Sequence, residues 1–222
     1  MHTFFKKELL KLMRNKITLS ILYVYYNTPE EIRNSVRSIV RECSGITYEI
    51  IIVNNNSPVN LPTLLPKDKI KIIVNSTNQG FGSAVNQAAK IAQGEFLIIL
   101  NPDTLVTKGA VKKLLSKLQR NHTIGIIGPC LTNAQGEILP TAGKMPLLPM
   151  GIVLFSSLKN LWPFSRFSAA YSLQKSDYGR EICVDVVGGA CLFLKRSIFK
   201  KVEGFDQRFF MYFEEADLCY RV

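Results

Sequence analysis

Two groups of acidic residues in this chain have the types and spacing expected of metal-binding or catalytic side chains. Asp103 follows an apolar run within the stretch 101–104, and three carboxylates stand together as Glu214, Glu215 and Asp217. Mg²⁺ and Mn²⁺ take one or two carboxylates and fill their other positions with water and phosphate oxygens, so Asp103 suits such an ion. Carboxylates beside aromatic residues lose solvation, which raises their pKa and suits general-base chemistry.

Each of these patterns also has a purely structural explanation. The residues of the stretch 101–104, Asn-Pro-Asp-Thr, favour turns. Acidic residues are favoured in the first turn of a helix, which would account for the C-terminal acids. Helical spacing places Glu214 and Asp217 on one face and Glu215 on another. The choice between chemistry and plain structure therefore depends on the elements that position these residues.

Apolar strands alternate with amphipathic helices up to residue 129. Strands are predicted at 17–27, 48–57, 69–75, 95–100 and 124–129, and helices at 28–43, 80–94 and 109–121. The first helix has Thr28 as N-cap, Pro29 at its first position and Glu31 closing a capping box, and Gly94 is predicted to end the second helix. This alternation predicts an α/β fold with a mostly parallel central sheet and helices on both faces. Ligands bind such sheets at the carboxyl ends of the strands, where polar residues cluster here.

The second half of the chain is less regular. A hairpin is predicted at 131–143 around Gly136, and a strand at 183–196 that is interrupted at Gly188 and Gly189. Residues 144–180 show no clear periodicity, which is typical of functional or mobile segments.

Composition and charge limit the classes of function. The 222 residues suffice for one sizeable domain, and a net charge of +11 favours a partner that carries phosphates. Nucleic-acid binding has only this charge in its favour, without a recognisable module. A dinucleotide-binding oxidoreductase is excluded because the glycines at 78–87 lack the G-x-G-x-x-G spacing. Five scattered cysteines indicate a reduced, cytoplasmic compartment and argue against a zinc site.

The chain also has two segments that suit a membrane surface. Residues 1–16 form a basic amphipathic leader that can lie on a bilayer, although a leader helix packed on the domain fits equally well. Together with the apolar stretch 144–167 and the positive charge, the leader favours peripheral contact with the inner face of the cell membrane. No apolar run approaches the roughly 18–20 residues needed to span a bilayer.

Five motifs occur in an order that resembles the family 2 glycosyltransferases of the GT-A fold, especially bacterial rhamnosyltransferase-like members. The motifs are YYN (25–27), EIIIVNNNS (49–57), NQGFGSAVNQAAKIAQGEFLIILNPDT (78–104), VDVVGGACLFLKR (184–196) and GFDQRFFMYFEEADLCYR (204–221). The resemblance implies a GT-A domain at 17–222, with a nucleotide-binding half at 17–129 and an acceptor-side half at 130–222.

The resemblance implies an inverting transfer of a sugar, with rhamnose a candidate, from a nucleotide diphosphate donor. The donor would be a deoxythymidine or uridine diphosphate sugar, and the acceptor a hydroxyl of a cell-surface polysaccharide or a lipid-linked saccharide. Mg²⁺ or Mn²⁺ would be the cofactor. Family members normally continue through a further strand, often with a histidine near the metal, and a C-terminal helix. We therefore expect this chain to be C-terminally truncated, and a catalytically inactive remnant that binds nucleotide or a membrane surface is the alternative function.

The resemblance also assigns donor-side roles. Asp103 matches the metal-binding carboxylate of the D-x-D motif, with Asn101 in its first position, and Tyr26 lies where the family stacks the nucleotide base. Asn54 replaces an aspartate that accepts the imide N–H of the base, and its amide oxygen can still accept that bond. Further donor contacts are expected from Asn78, Gly80 and Asn86 near the ribose and phosphates, and from Gly188 and Gly189 near the sugar.

In the acidic motif the family usually has Glu-Asp-x-Asp, and this chain has Glu214-Glu215-Ala216-Asp217. The catalytic base lies among these acids. Glu215 and Asp217 remain alternatives for it, and Glu215 is favoured because it occupies the place of the family's aspartate.

Overall fold

The computed structural model describes residues 16–64, 66–145, 173 and 175–222. The predicted leader, apart from Lys16, lies outside the described residues, as does the apolar stretch 144–167 beyond Met145.

A six-stranded sheet forms the centre of the protein. Its strands are β1 (Leu19–Tyr25), β2 (Tyr48–Asn54), β3 (Ile70–Val74), β4 (Phe96–Leu100), β5 (Ile126–Ile127) and β10 (Cys191–Lys195). They lie in the order β3-β2-β1-β4-β10-β5. The four strands from β3 to β4 are parallel, and β10 runs antiparallel to both of its neighbours. The prediction of a mostly parallel sheet is confirmed.

Two short antiparallel pairs lie outside this sheet. The first joins β6 (Leu131–Thr132) to β7 (Ile138–Leu139) and is the predicted hairpin around Gly136. The second joins β8 (Ala142–Gly143) to β9 (Val186–Val187), directly before the predicted interruption at Gly188.

Helices cover both faces of the sheet, as predicted. They are α1 (Pro29–Glu42), α2 (Phe81–Ile91), α3 (Ala110–Arg120), α4 (Arg196–Lys201) and α5 (Glu214–Arg221), with short 3₁₀ helices at Lys67–Lys69 and Lys175–Gly179. Apolar residues of α1 and α3 pack on one face of the sheet, and those of α2, α4 and α5 on the other. No helix within the described ranges has the length and hydropathy required to cross a bilayer.

Two local predictions are wrong: the capping box at the start of α1, and the end of α2 at Gly94. Thr28 is the N-cap residue of α1 and Pro29 holds the first position, but the Thr28 hydroxyl makes no capping hydrogen bond and is buried without a partner in the described part of the chain. Helix α2 ends at Ile91, before Gly94. Gly94 is instead placed against β1: its N–H donates to Ser20 Oγ (2.8 Å), and a Cβ there would lie 2.5 Å from the Ser20 nitrogen. Close backbone approach, rather than helix termination, explains this glycine.

Candidate active site

The carboxyl ends of the parallel strands form one edge of the sheet, and most of the predicted site residues lie along it. Tyr26, whose side chain is 48% exposed, follows β1, and Asn54 ends β2. The turn 101–104 follows β4. Because β10 is antiparallel and its Cys191 pairs with the last residue of β4, residues 188–190 also lie at this edge.

Asn55 holds the loop 75–80 beside the end of β2. Its side chain is only 2% exposed. The carboxamide makes four hydrogen bonds to that loop, with Asn75 Nδ2 (3.0 Å), Asn78 Oδ1 (2.7 Å), the Gln79 N–H (3.0 Å) and the Gly80 carbonyl (3.2 Å). An amide has two N–H donors and two acceptor positions, so its capacity is fully used. The sequence did not identify this role, because nothing distinguishes Asn55 from the asparagines on either side of it.

The side chains of Asn54 and Asn86, two further predicted donor-side residues, have partners within the protein. Asn54 Oδ1 accepts the Ser57 N–H (2.9 Å), which closes a turn after β2. Asn86 is buried in α2, where its Nδ2 donates to the Phe205 carbonyl (2.7 Å) and its Oδ1 accepts the Phe205 N–H (2.9 Å). Asn86 therefore orders the chain at Phe205, and both ends of its carboxamide are already in use.

Gly80 joins the loop 75–80 to the segment that leads into the acidic motif. Its φ of +80° lies in the left-handed region, and a Cβ at this position would overlap the carbonyl oxygen of Phe210. The same oxygen accepts the Phe81 N–H (3.1 Å) at the start of α2. Only glycine satisfies both the backbone angle and the close approach here.

The turn that carries Asp103 is fixed from two sides. The Asn101 N–H donates to the Ala190 carbonyl (3.0 Å), and the Thr104 N–H donates to the Asn101 carbonyl (3.1 Å). From α1, Ser35 Oγ donates to the Thr104 carbonyl (2.6 Å). Ser35 is a buried serine on the apolar face of the helix. A serine at such a position indicates a buried hydrogen bond, but the sequence analysis did not assign one to it. These bonds leave the Asp103 carboxylate exposed at the sheet edge.

The residues around Asp103 fit a divalent cation that is held jointly with a substrate. Within the ranges that the structure describes, Asp103 has no hydrogen-bond or ion-pair partner, and no group of three or more His, Cys, Asp or Glu side chains is placed to hold a metal. One carboxylate is enough for Mg²⁺ or Mn²⁺ when water and phosphate oxygens supply the other ligands. It is too few for a cation bound by protein side chains alone, so metal and diphosphate are expected to bind together.

The three acids of the C-terminal motif have different surroundings. Glu214 is buried, and its Oε2 has no hydrogen-bond partner among the described residues. Asp217 accepts two hydrogen bonds from Arg221, from Nε (2.9 Å) and Nη2 (2.6 Å). Glu215 is partly exposed and packs against Gly189, where a Cβ would lie 3.7 Å from the Glu215 Cβ. Of the three acids, Glu215 is thus the one placed against the turn 188–190.

Gly188 and Gly189 serve that turn in different ways. The Gly188 N–H donates to the Thr141 carbonyl (2.5 Å), and a side chain at Gly188 would collide with the same oxygen. Gly189 faces Glu215, and the next residue, Ala190, bonds to Asn101. The structure therefore brings together three predicted parts of the site that are far apart in sequence.

Burial raises the pKa of the Glu214 carboxyl above its usual value; a backbone hydrogen bond opposes this change, and the adjacent Glu215 adds to it. Because the folded-state pKa exceeds the unfolded one, the free energy of unfolding falls as pH rises from the ordinary value of 4.5 through the folded-state pKa.

We expect Glu214→Gln, which carries no charge, to be stabilising at neutral pH and progressively less so on acidification. Denaturant unfolding at several pH values measures this difference. Glu31→Gln, at an exposed position on α1, is the control, and a pH-independent effect of Glu214→Gln would contradict the expectation.

Comparison with known proteins gives both a family match and a fold match. The family model described as Glycosyl transferase family 2 matches residues 20–202. The chain is 29% identical over 182 residues to the N-acetylglucosaminyl-diphospho-decaprenol L-rhamnosyltransferase of Mycobacterium tuberculosis, covering 76% of this chain and 59% of that protein. The chain thus spans about three fifths of the length of this curated relative.

Two solved structures share the fold. TarS 1–349 of S. aureus, which has also been solved with UDP, superposes with a TM-score of 0.61 at 16% identity, over 92% of this chain and 55% of that one. The mannosyltransferase PcManGT from Pyrobaculum calidifontis, in complex with GDP-Man and Mn²⁺, has a TM-score of 0.55 at 16% identity, over 85% of this chain and 47% of that one. These similarities confirm the GT-A fold predicted from the motifs.

Proposed function

The chain belongs to glycosyl transferase family 2, and we propose that it transfers a sugar, with inversion, from a nucleotide diphosphate donor to an acceptor hydroxyl. The observation that carries this proposal is the meeting of three segments at the carboxyl edge of the sheet. The Asp103 turn bonds to Ala190, and the neighbouring Gly189 packs against Glu215. Residues 188–190 therefore link the Asp103 turn, which would supply a carboxylate for a cation, to Glu215, which would supply a carboxylate for a proton.

The donor would lie along this edge. Tyr26 is exposed for stacking on the base, and the loop 75–80 would approach the ribose and phosphates. Asp103, beside Asn101, would hold the divalent cation, which supplies positive charge against the leaving diphosphate. The relatives solved with UDP and with GDP-Man and Mn²⁺ support a nucleotide-sugar donor and a metal of this kind.

Glu215 would act on the acceptor. Its carboxylate takes the proton from the acceptor hydroxyl as that oxygen bonds to the anomeric carbon, while the bond from that carbon to the diphosphate oxygen breaks. The oxygen attacks from the face opposite the leaving group, which inverts the configuration, as in the inverting glycosidases. The absence of side chains at Gly188 and Gly189 leaves room for the transferred sugar.

We base the proposed identities of the sugar and the acceptor on the relative from Mycobacterium tuberculosis. Its name specifies a rhamnosyl transfer to a decaprenol-linked acceptor, which supports rhamnose as the sugar and a lipid-linked saccharide as the acceptor. Such an acceptor, together with the net charge of +11, supports peripheral contact of the protein with the inner face of the membrane. Sedimentation of the protein with anionic vesicles tests this contact.

Calorimetric titration with UDP, with and without Mn²⁺, tests the donor site. We expect binding to require the metal, and Asp103→Ala to weaken it at least tenfold, because loss of even an indirect metal partner costs about 10–100-fold in metal affinity. Asp68→Ala, an exposed acid at the opposite end of the sheet, is the control. Binding that neither needs Mn²⁺ nor suffers from Asp103→Ala would refute the assignment. UDP binding without transfer from any donor sugar would support the non-catalytic alternative.

A further inference from the structure

Four consecutive large apolar side chains are exposed directly before the acidic motif. The exposed fractions are 60% for Phe210, 58% for Met211, 70% for Tyr212 and 36% for Phe213. We refer to these four residues as the aromatic ledge. Single exposed apolar residues are ordinary, whereas adjacent exposed apolar residues are typical of interaction surfaces.

The backbone of the ledge is strained. Tyr212 and Phe213 have φ values of +72° and +70°, in the left-handed region that residues with bulky side chains rarely adopt. Two such residues in succession persist only where the surrounding structure holds them, and strain of this kind concentrates at functional sites.

Both ends of the ledge are held by helices. At one end the Phe210 carbonyl accepts the Phe81 N–H (3.1 Å) and lies against Gly80, at the start of α2. At the other end the Phe213 carbonyl accepts the Asp217 N–H (3.0 Å), at the start of α5. The ledge therefore stands between the loop 75–80 and Glu215, and its backbone is held at both ends.

We propose that the aromatic ledge binds the saccharide of the acceptor, by packing the apolar C–H face of a pyranose ring on the ring of Tyr212. This inference rests on the proposed function and names the surface that presents the acceptor hydroxyl to Glu215. One face of a pyranose carries only C–H groups of slightly positive charge, which complement the electron-rich face of an aromatic ring. Tyr212 precedes Glu215 by three residues, so we expect a sugar on that ring to lie near the proposed base.

The charges around the ledge favour a sugar over an anionic membrane. Asp206 pairs with Arg208 and Asp217 pairs with Arg221, which leaves Glu215 as the partly exposed acid beside the ledge, so anionic headgroups would meet like charge there. A neutral saccharide, whose hydroxyls can donate hydrogen bonds to carboxylates, has no such penalty.

The test uses methyl β-N-acetylglucosaminide, an uncharged glycoside without lipid, and the full chain with isotope-labelled aromatic rings. We expect the glycoside to shift the NMR signals of the Tyr212 ring and to leave those of Tyr220, an exposed tyrosine on α5, in place. Tyr212→Ala should weaken glycoside binding by roughly tenfold, as loss of a stacked ring implies. Tyr212→Phe should restore it, and Tyr220→Ala should have no effect.

Three outcomes would overturn the proposal. The first is a Tyr212 ring unaffected by saturating glycoside. The second is a Tyr212→Ala variant that loses binding to phosphatidylcholine–phosphatidylglycerol vesicles but keeps its glycoside affinity. The third is a concentration-dependent dimer that Tyr212→Ala abolishes while glycoside binding stays unchanged. UDP binding with Mn²⁺, measured on the same samples, separates the two proposals: if UDP binds and the glycoside does not, only the ledge assignment fails.

Discussion

Glu215→Gln is expected to lower the rate of sugar transfer by about 10²–10⁴-fold, the usual contribution of a general base, while UDP binding stays close to wild type. Its surroundings separate Glu215 from the other two acids. Glu214 is buried with an unpartnered oxygen, and Asp217 is held by two hydrogen bonds from Arg221. Glu215 has no such partner in the described part of the chain and packs against Gly189. Gln has nearly the same shape, so the loss isolates the proton-accepting role.

Asp217→Asn is the matched comparison for Glu215→Gln. It removes one charge from the same helix and weakens the contact with Arg221, so a modest loss of stability and a nearly unchanged chemical step are expected. Single-turnover transfer, measured with saturating donor, separates the two variants. If Asp217→Asn loses the chemical step and Glu215→Gln retains it, the base is Asp217.

Asn55→Ala is expected to reduce the free energy of unfolding by about 2–4 kcal/mol, since it removes four hydrogen bonds, each of which contributes about 0.5–1.5 kcal/mol net. The substitution removes four hydrogen bonds to the loop 75–80 and leaves the Gln79 N–H and the side chains of Asn75 and Asn78 without that partner. Because this loop is the proposed phosphate-side wall of the donor site, UDP affinity should fall as well.

Denaturant unfolding and amide hydrogen exchange together test the role of Asn55. The Gln79 amide should exchange faster in Asn55→Ala, while amides in the centre of β1 change only as far as global stability does. Asn34→Ala, an exposed asparagine on α1, is the control and should match wild type. A Gln79 amide that exchanges at the wild-type rate would show that the loop does not depend on Asn55.

The parallel part of the fold was predictable because its signals are local. Each strand from β1 to β4 is a mostly apolar run, interrupted only by single polar residues such as Ser20, Glu49 and Lys71, and each is bounded by residues that begin a helix or a turn. The place of β10 was not predictable in this way, because the pairing of Cys191 with Leu100 leaves no mark in the periodicity of either segment. Gly94 shows the same limit: its role depends on Ser20, which is distant in sequence and which no helix-ending rule takes into account.

The candidate site was predictable in its parts and not in its arrangement. The polar residues that follow β1, β2 and β4 had to share an edge once the strands were parallel. Glu214 lies instead beside the tight packing of Gly82 against Phe205, where a Cβ on Gly82 would lie 2.9 Å from the Phe205 Cβ and 3.8 Å from that of Glu214. Helical spacing separated Glu215 from its neighbours, but only the folded chain shows that it meets Gly189.

The position of β10 has a consequence for the order in which the protein forms as it leaves the ribosome. Strand β4 is complete at Leu100, but β10, its second neighbour in the sheet, begins only at Cys191. One edge of the entirely apolar β4 therefore stays unpaired while the intervening chain is translated. Exposed strand edges of this kind attract other chains. We therefore expect the nascent protein to be more prone to aggregation before β10 emerges than after it has paired with β4.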